Sequence, residues 1–218
     1  EFKVALIAYE KSRYDEASPI FRRLGESYPN QEKGVKAQDL YLDILNLQKN
    51  YKGLRKYSDQ LITFGGDPER LKELKQIYQE AYFLEIQEME DSGQFESAIA
   101  EYKKFALENQ SSKLAPKAWW NALQLHYKTF DMAGGADAAL RYYRLFPKQD
   151  NAVSGLLKAA QSYESMAQIE KALEVVRLLI KGESKNQAKW KQLAAEFYFL
   201  NEEYQRSIEV YNQLTESS

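Results

Sequence analysis

The amino-acid sequence predicts an all-α chain of six helical hairpins stacked in series, and three observations carry that prediction. An apolar motif with spacing 3, 4, 3 recurs six times along the 218 residues, a spacing that puts all four side chains on one stripe of an α-helix. A second helical stripe precedes the motif in the better-formed copies. Gly and Pro are scarce, 10 and 5 residues, which excludes collagen-like and low-complexity disordered chains.

The motifs follow in order. The first is Tyr14, Ala17, Phe21 and Leu24, with Pro29 five residues beyond its end; the second is Tyr51, Leu54, Ser58 and Leu61. Gly65-Gly66-Asp67-Pro68-Glu69 then reads as a stop, a cap and a helix-start proline. From Glu69 the pattern stays helical to about Glu90, a helix of about 22 residues that outruns a standard hairpin by roughly two turns. The third motif is Phe95, Ala98, Tyr102 and Phe105. The fourth, Ala136, Ala139, Tyr143 and Phe146, follows the stripe Trp120, Leu123, Gln124 and Tyr127, with Gly134-Gly135 expected as an irregular turn between the two helices. The fifth, Ile169, Ala172, Val176 and Leu179, follows Leu156, Ala159, Ala160 and Tyr163, and the sixth is Tyr204, Ser207, Tyr211 and Leu214.

Residues 17, 54, 98, 139, 172 and 207, the second position of each motif, lie 37, 44, 41, 33 and 35 apart, a ragged period near one helical hairpin. The expected repeats are 1–33, 34–67, 68–113, 114–150, 151–185 and 186–218. Because one hairpin buries too little surface to stand alone, they are expected to form a single stacked domain. Tyr14, Tyr51, Phe95 and Tyr204 at the hairpin tips, and Phe21, Tyr102, Tyr143 and Tyr211 on the second helices, are all expected to fill inter-helix space. Trp119 and Trp120 are adjacent and so point about 100° apart on a helix. Trp120 takes the core slot, leaving Trp119 for an exposed or inter-repeat position where aromatic anchors favour partner contact.

Composition removes most other functions. The longest apolar run, Val4 to Tyr9, is six residues, too short for a membrane helix or a signal-peptide core, so no membrane insertion is expected. With no cysteine there is no disulfide, thiolate zinc site or cysteine nucleophile. His126 is the one histidine and has no Ser or carboxylate at triad or ligand spacing, so it is expected to be an ordinary exposed side chain. Glu85, Glu88, Glu90 and Asp91 read as solubilising acids, and the two Gly pairs lack the strand and Lys-Ser/Thr of a phosphate cradle. No enzyme activity, metal or cofactor is expected. Net charge is −2, with −4 over residues 1–109 and +2 over 110–218. The densest basic stretch, Lys49, Lys52, Arg55 and Lys56, alternates with Tyr51 and Tyr57, so no nucleic-acid partner is expected. The chain opens on Glu within a helical pattern, from which a segment of a longer protein is expected, with any targeting signal outside it.

Trp120-x2-Leu123-Gln124-x2-Tyr127 with Ala139-x3-Tyr143 downstream resembles the tetratricopeptide repeat, and the resemblance runs as six units from Glu1 to Thr215. It implies a right-handed superhelical solenoid serving as a non-catalytic scaffold, with first helices lining a concave face that holds a peptide or protein partner. The family places a small residue midway along each first helix. Ala5, Ala160 and Ala195 comply but Leu42, Ile86 and Gln124 do not, so wider helix separation is expected in the middle of the array. Removing core slots leaves Asp39, Asp43, Asn46, Phe83, Gln87, Glu90, Asn121, Lys128, Gln161, Glu164 and Gln192 facing the groove. Acids and amides dominate that set, which suits a basic or neutral partner segment better than a carboxylate-terminated peptide. Two alternatives stay open: self-assembly into a homo-oligomer through apolar end faces, and a regulatory or targeting arm of a larger protein. Residues 26–30 and 107–118 are similar to inter-repeat segments of bacterial cell-envelope members, which points to the periplasm, while the lack of cysteine suits the cytoplasm equally.

Overall fold

Twelve α-helices and no strand make up the described residues, 1–182 and 185–216, in a computed structural model of the chain. They form two compact units. Unit 1, Glu1–Ser92, holds α1 (Phe2–Glu10), α2 (Tyr14–Ser27), α3 (Glu32–Leu47), α4 (Tyr51–Phe64) and α5 (Pro68–Asp91). Unit 2, Gly93–Ser218, holds α6 (Phe95–Glu108), α7 (Ala115–Lys128), α8 (Met132–Leu145), α9 (Ala152–Ser165), α10 (Ile169–Gly182), α11 (Gln187–Leu200) and α12 (Tyr204–Glu216). Within each unit helices pack on their neighbours along the chain. The helical-repeat fold is the one the 3, 4, 3 motif predicts, the motifs falling on α2, α4, α6, α8, α10 and α12, with Phe146 of the fourth at the C-cap of α8. The long helix after Pro68 is α5, 24 residues. Its start is fixed by the Asp67 carboxylate, which accepts the Glu69 and Arg70 N–H groups at 3.1 Å each, and by a proline that has no N–H to lose.

Six three-residue connectors share one conformation, the middle residue lying in the left-handed region: Ser12 (φ 55°), Lys49 (53°), Gly93 (79°), Phe130 (61°), Ala167 (57°) and Glu202 (62°). In five of them the N–H that follows reaches back to a carbonyl in the helix's last turn: Arg13 to Ala8, Asn50 to Leu45, Asp131 to His126 and Gln168 to Tyr163 at 2.8 Å, and Glu203 to Tyr198 at 2.9 Å. These bonds satisfy carbonyls the helix end would otherwise orphan.

The motif's second position is buried in every copy. Ala17, Ala98, Ala139 and Ala172 are fully buried, Leu54 and Ser207 nearly so, because a small side chain there lets helices approach closely. In unit 1, Ala5, Ala17, Phe21, Ala37 and Ile44 make one core cluster. Leu42, Leu45, Leu54, Tyr57, Leu61, Leu74 and Ala81 make another. In unit 2 the core includes Tyr102, Phe105, Leu123, Tyr142, Leu156, Tyr163 and Phe197.

Five expectations need correction. Glu85, read as a solubilising acid, is buried against Arg55, whose Nε donates to it at 2.6 Å. Gly134 and Gly135 lie in the first turn of α8, not in a turn between helices. A Cβ on Gly134 would stand 2.5 Å from His126 Nδ1, and one on Gly135 2.8 Å from the Tyr127 ring; glycine is needed there for close approach. Trp119 is buried, its indole N–H donating to the Ala138 carbonyl at 2.9 Å. Trp120 is the half-buried one, set against Tyr142 (ring centroids 5.3 Å apart) and Gly155. Both directions from α7 meet neighbouring helices, so neither ring is left to solvent. His126 is buried rather than exposed, between Lys103 and Asp131. Tyr204 and Tyr211, expected to fill space between helices, are exposed, since α12 packs chiefly on α11.

Candidate partner-binding groove

Two helices of unit 1 present matching stripes to a shared groove. On α3 the stripe is Asp39, Leu42, Asp43 and Asn46; on α5 it is Ile77, Glu80, Ala81 and Leu84. Both have spacing 3, 1, 3, one helical face. With Leu54 of α4 these residues line a pocket of about 340 Å³, at the lower end of ligand-site volumes. Apolar side chains form its floor and carboxylates its rim.

Each rim acid is held differently. Asp39 accepts from Arg70 Nη1 at 2.9 Å. Arg70 Nη2 also donates to Gln38 Oε1 at 2.9 Å, and the buried Gln38 amide donates to the Gly25 and Pro29 carbonyls at 3.1 and 3.2 Å. Arg70 thus ties α5 to α3 and, through Gln38, to the end of α2. Asp43 accepts the Tyr9 hydroxyl of α1 at 2.5 Å. That hydrogen bond, aided by burial and the carboxylate's charge, pushes the phenol up to about 12. Glu80 accepts only an amide, Gln76 Nε2 at 2.8 Å. Arg70 therefore neutralises Asp39, while Asp43 and Glu80 have no cationic partner among the described residues. The chemistry on offer is an apolar cleft with uncompensated negative charge at its mouth, which favours a cation on an aliphatic stem.

The predicted site residues divide. Asp39, Asp43 and Asn46 come together in this groove. Phe83 does not line it: it is 3 % exposed, buried on the flank of α5 beside the groove stripe. Gln87 and Glu90 sit half-buried further along α5. The others lie in unit 2. Trp119 is buried, Asn121 half-buried, and Lys128 exposed with its ammonium 4.5 Å from the Phe95 ring centroid. Gln161 and Glu164 are exposed on α9, and Gln192 on α11 donates to Glu196 at 3.1 Å. The groove residues absent from the sequence reading are Ile77, Glu80, Ala81 and Leu84, and the spacing they share with α3 is the signal that identifies them. No group of three or more His, Asp or Glu side chains is placed to hold a metal, and no helix is long and apolar enough to cross a membrane, among the described residues.

Residues 84–150 match the family model described as tetratricopeptide repeat. No curated protein matches the chain. Among solved structures, the chain is similar to MamA protein at 15 % identity and TM-score 0.42, covering 93 % of this chain and 92 % of that one. It is similar to the nearly identical TPR-like repeats of a Podosopora anserina putative kinesin light chain at 10 % identity and TM-score 0.40, covering 83 % and 93 %. A third likeness, to Naa15/Naa10 bound to HypK-THB, has 14 % identity and TM-score 0.44 and covers 96 % of this chain and 30 % of that one. At these scores the likenesses decide nothing about this chain's partners. The chain is an all-α helical repeat whose residues 84–150 match the tetratricopeptide repeat.

Proposed function

We propose that this protein is a non-catalytic interaction scaffold and that the α3/α5 groove of unit 1 takes a basic segment of a partner protein. Tetratricopeptide-like repeats generally mediate protein–protein interaction and are typically non-catalytic scaffolds, and the groove gives that general role a chemistry. The observation that carries the reading is the pairing of an apolar floor, Leu42, Leu54, Ala81 and Leu84, with Asp43 and Glu80 at the rim and no cation among the described residues to neutralise them. A Lys or Arg side chain of the partner lays its methylenes on the floor and its charge between the two acids. Electrostatic attraction of this kind raises the association rate and falls with added salt.

The test is selection from a random peptide library on the intact protein. Recovered sequences are expected to be enriched in Lys or Arg flanked by apolar residues, and the Asp43→Lys/Glu80→Lys double variant is expected to lose that enrichment while keeping its far-UV circular dichroism. Enrichment that survives the double variant, or favours acidic peptides, refutes the assignment.

A further inference from the structure

Away from the groove, unit 2 contains a chain of three ionisable side chains that the scaffold reading does not use. Lys103 projects from α6, His126 from α7, and Asp131 from the connector before α8. Lys103 Nζ stands 2.6 Å from His126 Nε2, and His126 Nδ1 stands 2.7 Å from Asp131 Oδ2. Asp131 Oδ1 accepts the Gly134 N–H at 2.8 Å. That bond chiefly, and His126 after it, holds the Asp131 carboxyl below its ordinary range.

The arrangement accommodates a neutral imidazole between an ionised Asp131 and Lys103. An ionised Asp131 is acceptor-only, so His126 donates from Nδ1 and keeps a lone pair on Nε2. Lys103 must then be the donor to that lone pair. Its nitrogen faces an imidazole base where a lysine ordinarily faces a carboxylate, and the neutral amine fits this position as well as the ammonium. The other charged groups around it are Asp137 and Arg141 of α8, of opposite sign. Asp137 also accepts the Tyr163 hydroxyl of α9. Burial outweighs the attraction of Asp131 and Asp137 and lowers the Lys103 amine from its usual value. An amine in this state, half-buried but still partly open to solvent, next to an oriented imidazole, is a nucleophile with its base in place.

We infer that Lys103 is an acyl-accepting site, modified at Nζ by small acyl phosphates with His126 as general base. The Nζ lone pair attacks the carbonyl carbon, a C–N bond forms, and the C–O bond to phosphate breaks with its electron pair leaving on phosphate. The proton released from nitrogen passes to His126 Nε2, where Asp131 stabilises the imidazolium, and then to the departing phosphate or to water. The product is a neutral amide, which removes one positive charge from the α6/α7 contact.

The intact protein is incubated with acetyl phosphate at pH 7 and acetylation of each lysine is followed by peptide mass mapping, with the exposed Lys72 (80 % exposed) as internal reference. Lys103 is expected to react at least about tenfold faster than Lys72, in keeping with general-base assistance. His126→Gln is expected to bring Lys103 down to about the Lys72 rate without changing Lys72. Should that variant fail to fold, the pH profile of the unaltered protein decides: the Lys103 rate reaches its plateau at lower pH than that of Lys72. Lys103 reacting no faster than Lys72, or keeping its lead in a folded His126→Gln protein, overturns the inference, as do coincident pH profiles.

Discussion

Replacing Trp119 with Phe tests the placement of the tryptophan pair. The indole N–H donates to the Ala138 carbonyl at 2.9 Å in a site where Trp119 is 2 % exposed. Phenylalanine keeps an apolar ring but has no donor. The carbonyl then loses that partner in a water-excluded position, at a cost of about 1–3 kcal/mol. The smaller ring also leaves a partial cavity against α8, which adds about 1 kcal/mol. The expected loss is about 2–4 kcal/mol, and each kcal/mol lowers Tm by about 2–4 °C in a chain of this size. Trp120→Phe is the internal comparison: half-buried against Tyr142 and Gly155, it should cost about 1 kcal/mol. Urea denaturation followed by circular dichroism measures both. Amide hydrogen exchange shows whether the loss concentrates in α7 and α8, as local stability in a repeat array requires. Equal effects of the two substitutions, or a Trp119→Phe loss under about 0.5 kcal/mol, would refute the assignment of Trp119 to the core.

Three further outcomes follow from the same geometry. In Gly25→Ala the new Cβ meets Gln38 Cγ and Tyr57 Oη at 2.8 Å, so it should destabilise unit 1 by about 1–3 kcal/mol and, by moving Gln38, weaken peptide capture at the groove. Arg55→Met removes a guanidinium 2.6 Å from the nearly buried Glu85 and 4.4 Å from the Tyr82 ring centroid; thermal denaturation should register a loss of about 2 kcal/mol, reduced in the Arg55→Met/Glu85→Gln pair. Tyr9 is held neutral by Asp43, its pKa raised from 10.0 to about 12, so the folded state prefers the protonated phenol. Its contribution is fully present below pH 10 and is lost as pH rises through about 12. The difference in 295 nm absorbance between unaltered and Tyr9→Phe proteins should therefore show a late-titrating phenol, which Asp43→Asn shifts to lower pH.

How far the sequence alone reaches depends on what each position must satisfy. Ala17, Ala98 and Ala139 are legible because close helix approach admits only small side chains, and the 3, 4, 3 stripe gives the helix face directly. Asp39, Asp43 and Asn46 are legible for the same reason, as the polar remainder of a helix whose apolar side is known. The facing wall is harder. Taking Ile86 as the core slot of α5 turns Phe83 toward the groove, yet a 24-residue helix packs on different neighbours along its length. Ile77, Glu80 and Leu84 line the groove with α3, whereas Ile86 is buried on the opposite side and Phe83 on the flank between. His126 escapes a spacing search because its partners come from α6 and from the connector before α8. Trp119 and Trp120 exchange roles because α7 is covered in both directions, a property of packing that no single-helix period contains.

The connectors have a practical consequence. Backbone bonds close the connectors at Ser12, Lys49, Phe130, Ala167 and Glu202, and the left-handed position carries these residues as well as Gly93, so the side chain there is free of any role in the turn. Phe130 projects almost wholly into solvent, 83 % exposed. In a chain without cysteine, a thiol introduced at residue 12 or 130 is a unique attachment point for a dye or spin label. Such a probe reports on a single hairpin of unit 1 or unit 2 while leaving the packed helices beneath it untouched.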